Sequence, residues 1–269
     1  MLLAIDVGNT ATVMGVFQGP ELAWHWRMAT RRERTADELA LLFGGFLQQQ
    51  GLSFSRQITA VAIASVVPDQ TQALRDMVDG YFHFPPVVVE PGVKTGVSIH
   101  TDNPKEVGAD RIVNALAAYS KYGGPCIVVD FGTATTFDAI SERGEYLGGA
   151  IAPGIQVSAA ALFAATARLP RVELILPRAV IGKNTVESVQ SGLLYGAAAE
   201  VDGMVERIQK ELGGHARVVA TGGLAGAVVP LCQMIDEHAP WLTLEGLRLI
   251  YEKNTSMPEE RGRPESPAG

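Results

Sequence analysis

The sequence predicts an α/β protein built from two related domains, and three observations carry that prediction. The chain opens with three apolar, strand-like runs and then alternates helix and strand signals, the pattern of mixed sheets flanked by helices. The stretch DVGNTAT at residues 6–12 returns as DFGTATT at 130–136, so Asp6 and Asp130 are 124 residues apart. That offset is domain-sized, not solenoid-sized. Finally, 269 residues of which 47% are hydrophobic and 19% charged suffice for two ordinary domains with substantial cores.

Taken in order, the first strands are Leu2–Ile5, Thr12–Phe17 and Leu22–Met28. Thr35-Ala-Asp-Glu38 has the spacing of a capping box and opens a helix to about Gln50, whose apolar residues recur at helical period. A strand over Ile58–Ala64, a helix from Pro68 and a strand over Pro86–Glu90 follow. Asn103-Pro-Lys-Glu106 is a second capping signal with proline at the first helical position. Its helix holds Val107–Arg111 and Ala115–Tyr119, and Gly108 inside it would cost about 1 kcal/mol relative to alanine. Lys121-Tyr-Gly-Gly-Pro125 links the two units, which gives domains of 1–120 and 121–252.

The second unit repeats the theme with strands at Cys126–Val129, Thr135–Ile140 and Glu145–Leu147. Gly148-Gly149 and Pro153-Gly154 read as turns before a helix of small residues. A long helix spans Val186–Leu212, a strand spans Arg217–Ala220, and Thr221-Gly222-Gly223 forms its exit turn. The tail from about Glu252, residues 253–269 above all, is polar and rich in Pro, Glu and Gly, and disorder is expected there.

Composition excludes several classes. A net charge of −7 argues against nucleic acid or an anionic membrane surface as the partner. Cys126 and Cys232 form no CxxC or Cys/His cluster, and the five histidines are scattered, so no thiolate or imidazole metal centre is expected. The N-terminus lacks a basic stretch before an apolar core, and no apolar run nears the ~20 residues that span a bilayer. A cytoplasmic protein is expected.

The chemistry sits in the glycine turns. A strand ending on Asp6, then Gly8, Asn9 and Thr10, brings backbone N–H groups and side-chain donors close to whatever lies above the turn. Asp130, Gly132 and Thr133 do the same. Such a turn holds phosphate oxygens, but a carboxylate there repels phosphate unless a cation lies between, so Mg²⁺ bridging a nucleotide is expected. Either aspartate alone could simply cap its turn through an Asx hydrogen bond; two copies across a cleft favour the nucleotide. Thr221-Gly222-Gly223 is a third such turn, near an adenine or ribose. In Gly108-Ala-Asp-Arg111 the acid can accept a proton from a substrate hydroxyl, and the guanidinium beside it can bind a carboxylate in bidentate fashion. An ordinary surface pair is the alternative. Thr185 with Ser188 reads as the cap of the long helix.

In one order along the chain stand DVGNT at 6–10, GADR at 108–111, DFGTATT at 130–136, GGAIAPG at 148–154, LPRVEL at 169–174, GKNTVESVQSG at 182–192 and TGG at 221–223. Over about residues 1–250 the chain closely resembles type III pantothenate kinases, members of the acetate and sugar kinase/Hsc70/actin superfamily. The resemblance implies two RNase H-like (actin-like ATPase) domains with ATP in the cleft between them. The reaction would be transfer of the γ-phosphoryl group to pantothenate, the first step toward coenzyme A. It also implies that residues 6–13 (Asp6, Val7, Gly8, Asn9, Thr10, Ala11, Thr12, Val13) bind ATP, with Asp6 facing Mg²⁺. Thr133, Gly222 and Gly223 would complete the ATP site, and Asp130 would hold a monovalent cation, K⁺ or NH₄⁺. Asp110 would be the general base, Arg111 the carboxylate anchor, and Gly108 and Ala109 the pocket lining. Thr185 would reach substrate across a homodimer interface. Thr101 stands where the family commonly has a tyrosine, which alters the pocket's shape. A regulatory nucleotide-binding protein on the same fold is the competing class, disfavoured by GADR; an acetate or sugar kinase is disfavoured by chain length and by Asp110–Arg111.

Overall fold

The structure is a computed structural model that describes residues 1–255. Its first half runs β1 (Leu2–Val7), β2 (Ala11–Gln18), β3 (Glu21–Ala29), α1 (Ala36–Gln48), β4 (Ala60–Ser65), α2 (Pro68–Phe82), β5 (Val87–Val88) and α3 (Ala109–Tyr122). The second half runs β6 (Cys126–Phe131), β7 (Ala134–Ile140), β8 (Tyr146–Pro153), α4 (Ile155–Ala165), α5 (Thr185–Glu211), β9 (Arg217–Thr221), α6 (Ala225–Val228), β10 (Glu237–His238) and α7 (Leu242–Thr255). The sheets have one design. The first is ordered β3-β2-β1-β4-β5 and the second β8-β7-β6-β9-β10. In each, the central strand pairs antiparallel with the next strand and parallel with the fourth. The duplication seen in two short stretches therefore extends to whole sheets.

Alternation of side chains explains why β1 and β6 are apolar throughout. Leu3, Ile5 and Val7 point into a cluster with Phe43 and Leu47 of α1 and Leu74 and Met77 of α2. Leu2 and Ala4 point the other way, onto Val113 and Leu116 of α3 and Leu244, Leu247 and Ile250 of α7. A strand covered on both faces reads as a continuous apolar run. In β6, Ile127, Val129 and Phe131 face Leu194, Ala198 and Val201 of α5, while Cys126 and Val128 face Ala115, Ala117 and Ala118 of α3. Helix α3 thus lies between the sheets, with every residue from Ile112 to Ala118 buried. Burial pushes the Cys126 thiol up to about 12.

Several expectations are corrected. The capping signal at Asn103 opens only a 3₁₀ turn over Pro104–Glu106, and Asn103 makes no side-chain cap. Helix α3 starts afterwards with Gly108 at its N-cap, so Gly108 is not inside a helix. Gly148 and Gly149 are not turn residues: β8 runs through them to Pro153, because a Cβ at Gly149 would strike the Phe137 carbonyl of the paired strand. The cap of α5 is Asn184, whose side chain accepts from the Glu187 amide, not Thr185. Disorder is expected from about Glu252, but helix α7 continues to Thr255; the rest of that expectation lies outside the described residues. The capping box at Thr35 forms as read, with Glu38 donating its amide to the threonine hydroxyl and accepting from the Thr35 amide. Helix α7, at the end of the second unit, packs on the first sheet beside α3.

Candidate active site

The two aspartate-bearing strands end on the same cleft. Asp6 is the fifth residue of β1, opposite Val13 of β2 and Ala64 of β4; Asp130 holds the matching place in β6, opposite Thr136 and Thr221. Each central strand has an antiparallel neighbour on one side and a parallel one on the other, and at its carboxyl end the departing chains leave a crevice where ligands of such sheets bind. The turn after each aspartate is closed by its glycine, over three residues in the first and two in the second. Gly8 donates its amide to the Ala11 carbonyl and Gly132 to the Ala134 carbonyl, both at 3.0 Å. Across the cleft the Thr10 and Thr133 hydroxyls are hydrogen-bonded at 2.8 Å. Thr30 braces the first turn by donating to the Gly8 carbonyl and bonding the buried Thr12 hydroxyl.

The third turn joins them. Gly222 has φ of +95°, a left-handed conformation that favours glycine, and a Cβ there would collide with the Asp130 carboxylate. A cavity of about 310 Å³ is lined by Asp6, Ala11, Val13, Asp130, Gly222 and Gly223, closed by Trp241. Trp241 packs against His25 of β3, tilted by 31°, with 3.9 Å between ring centroids. Arg27, two residues along the same strand, also lines the cavity, its guanidinium lying against Gly223. Val7 points instead into the core beneath, so only its backbone borders the turn.

Helix α3 brings Asp110 to this cleft. Its carboxylate accepts from the Arg111 amide at 2.8 Å, and a Cβ on Gly108 would occupy the space of that carboxylate. Asp6, Asp110 and Asp130 remain partly open to the cleft and are otherwise enclosed by protein. Burial raises all three carboxyls above the usual range. Asp6 is pushed further by Asp110 and Asp130, and Arg27 opposes this. Asp130 rises to about 7 through burial, then Asp110 and Asp138, with the Asn114 hydrogen bond opposing. For Asp110 the opposing influences are the Arg111 amide and guanidinium. Asn114 donates to Asp130 at 3.1 Å and accepts from Thr243 of α7 at 2.8 Å.

Arg111 does not pair with its neighbour Asp110. Its Nε donates to Asp138 of β7 at 2.7 Å. Ala109 turns away with Ile112 to line a separate groove against Val89. Thr101 is partly buried, and its hydroxyl has no partner. Thr185 is exposed on the α4–α5 surface with Gly182 and Leu162; one chain does not bring it to the cleft.

Sequence reasoning passed over Arg27, Asn114, Asp138 and Tyr146. Asn114 was findable, because it lies four residues after Asp110 and so shares its helix face. Asp138 carries the same mark as Asp6 and Asp130, an acid inside an apolar strand. Arg27 and Tyr146 carry no such local signal.

Among the described residues no group of three or more His, Cys, Asp or Glu side chains is placed to hold a metal alone. A divalent ion at a triphosphate needs only one or two carboxylates, with phosphate oxygens and water completing its shell. Three carboxyls that repel one another in a half-enclosed cleft suit a cation shared with a phosphate chain.

Paired sheets enclosing such a cleft define the actin-like ATPase and sugar kinase fold. Two solved structures share it: a ROK hexokinase from Thermus thermophilus (14% identity, TM-score 0.50, 94% of this chain and 98% of that one), and the activator of 2-hydroxyisocaproyl-CoA dehydratase from Clostridium difficile with bound ADPNP (13% identity, TM-score 0.54, 97% and 99%). The family model for type III pantothenate kinase matches residues 2–207. A type III pantothenate kinase from Moorella thermoacetica is 58% identical over 255 residues, 95% of this chain and all of the relative. The chain belongs to the type III pantothenate kinase family, and it is a kinase. Kinases of this kind use a divalent metal with ATP. No helix among the described residues is long and apolar enough to cross a membrane.

Proposed function

We propose that this chain transfers the γ-phosphoryl group of ATP to the primary hydroxyl of pantothenate, giving 4′-phosphopantothenate. The observation that carries the reading is the meeting of the two aspartate-ended turns at Thr10 and Thr133, with Asp110 of α3 facing Asp6 and Asp130 from the side. ATP lies in the cleft with its phosphates against residues 6–13, Thr133 and the Gly222–Gly223 turn. Asp6 holds Mg²⁺, and Asp130, steadied by Asn114, holds a monovalent cation, K⁺ or NH₄⁺. When bound, these cations neutralise charge on the phosphate chain. Asp110 accepts the hydroxyl proton, a modest task when the transition state is loose. Arg111 binds the pantothenate carboxylate, and Gly108 and Thr101 border the pocket. The protein works in the cytoplasm and needs neither nucleic acid nor membrane. The test is incubation with ATP, Mg²⁺ and pantothenate, with and without K⁺, followed by mass spectrometry. 4′-Phosphopantothenate is expected, more of it with K⁺; no product in either condition overturns the reading.

The working species is a homodimer. Of the large hydrophobic side chains exposed on the surface, most fall between residues 151 and 186, with Ile181 at 73% and Ile151 at 66% exposure. Exposed apolar side chains gathered in this way favour an interface, and Thr185 lies within the same stretch of chain, where a second copy would carry it toward the partner's cleft. Ile181→Asp is expected to turn the dimer into a monomer in light scattering and to cut turnover at least tenfold. A variant that remains dimeric and fully active would remove this face from consideration.

A further inference from the structure

We propose that Asp138, buried and outside the motifs that define the site, is the positioning residue that makes Arg111 a carboxylate receptor. The inference rests on the pantothenate reading above and deepens it.

The geometry is closed on one side and open on the other. Asp138 has no exposed surface, and three groups donate to it. Arg111 Nε donates to Oδ1 at 2.7 Å, the Tyr146 hydroxyl to Oδ1 at 2.8 Å, and the Thr136 hydroxyl to Oδ2 at 3.1 Å. Tyr146 also sets its ring beside the guanidinium, 5.7 Å from Cζ to the ring centroid. The guanidinium is therefore fixed along its Nε edge and against an aromatic ring. Arg111 Nη2, by contrast, is buried and has no hydrogen-bond partner. A buried donor left unpaired destabilises the fold, and a native fold retains one where a ligand satisfies it.

Thr101 Oγ1 is a second buried polar atom without a partner. Its segment is tied to the same tyrosine. His100 donates its amide to the Tyr146 carbonyl and Tyr146 its amide to the Ser98 carbonyl, both at 2.8 Å. Tyr146 thus holds Asp138 with its hydroxyl and the segment before Thr101 with its backbone. One residue couples the two unsatisfied groups, and both belong to the side of the site assigned to substrate.

Asp138 also decides which charge the pocket accepts. Paired with Arg111 it fixes the direction of the free N–H groups without using them. A carboxylate arriving at Nη2 gains charge-assisted hydrogen bonds, whereas a neutral group of the same shape gains much less. The role is specificity for an acid, not chemistry at the hydroxyl.

The test compares pantothenate with pantothenyl alcohol, which lacks the carboxylate, in wild type, Asp138→Asn and Tyr146→Phe, with thermal melts to confirm folding. In Asp138→Asn, KM for pantothenate is expected to rise at least tenfold while kcat changes less than threefold and KM for ATP stays put. The preference for pantothenate over the alcohol should shrink by the same tenfold. Tyr146→Phe, which removes only one donor, should move the same ratio about threefold. If either folded variant loses kcat/KM equally for both compounds, Asp138 is merely structural and the proposal falls. If wild-type protein turns over neither compound, the pantothenate reading itself falls and takes this one with it. Wild-type turnover with an unchanged preference in Asp138→Asn overturns the positioning role alone.

Discussion

Asp110→Asn lowers turnover by about 10²–10⁴-fold, the range set by loss of a general base, and leaves ATP affinity within about twofold. The split follows from placement. Asp110 stands at the first turn of α3, apart from the three glycine turns that would contact phosphate, and touches the Arg111 amide. Asparagine keeps the shape and an acceptor oxygen for that amide, so the local fold survives. What it cannot do is take a proton. Burial raises the carboxyl of Asp110, which makes it a better base once ionised. Steady-state kinetics together with nucleotide titration measure both quantities, and near-normal turnover in this variant would exclude Asp110 as the base.

Asp130→Asn makes the ligand-free protein more stable at pH 8 and abolishes its response to K⁺. The sign follows from linkage. Asp130 has its carboxyl raised from 3.8 to about 7 in the folded chain, through burial first and then through Asp110 and Asp138. Between those values the folded state holds a proton that the unfolded state has released. Stability is therefore fully present below about pH 4, falls as pH rises through about 7, and levels off above. Asp6 and Asp110, raised for the same reason, add to the slope. Asparagine removes the Asp130 share, on the order of a few kcal/mol at pH 8. Its amide, however, lacks the charge that would hold a cation beside phosphate. Thermal melts from pH 5 to 8 check the first outcome, and turnover against K⁺ concentration checks the second. Equal pH slopes in the two proteins would mean that Asp130 is not strained in the empty cleft.

The same conflict between burial and charge explains what was legible in advance. Asp6 and Asp130 stood out because an acid at the end of an apolar strand contradicts local preference, and such contradictions collect at functional sites. Asp138 offered the same contradiction but lacked a glycine turn beside it, so nothing marked it as more than a strand residue. The register of β7, which turns it inward toward Arg111, is set by pairing with β6 and β8. The expectation of Gly108 inside a helix fails because Asn103 and Pro104 form a genuine start signal that here opens only a 3₁₀ turn. The residues after that turn carry the chain to Gly108, the N-cap of α3. Glycine pairs usually mark turns, but β8 runs through Gly148 and Gly149 and uses Gly149 for its lack of a side chain against Phe137.

What the amino-acid order determined by itself was local and repeated: two apolar strands covered on both faces, the acid and glycine turn after each, and the capping box that opens α1. Those depend on period, burial and turn chemistry within a few residues. The tertiary structure alone decided that α7 returns to pack beside α3, that Asn114 and Thr243 brace Asp130, that Arg27 faces Asp6 from β3, and that Arg111 turns from Asp110 to Asp138. Each joins residues far apart in the chain, such as 16 positions for Asn114 and Asp130 and 129 for Asn114 and Thr243. No propensity acts over such distances; only the packing of two sheets around one central helix brings these groups within reach.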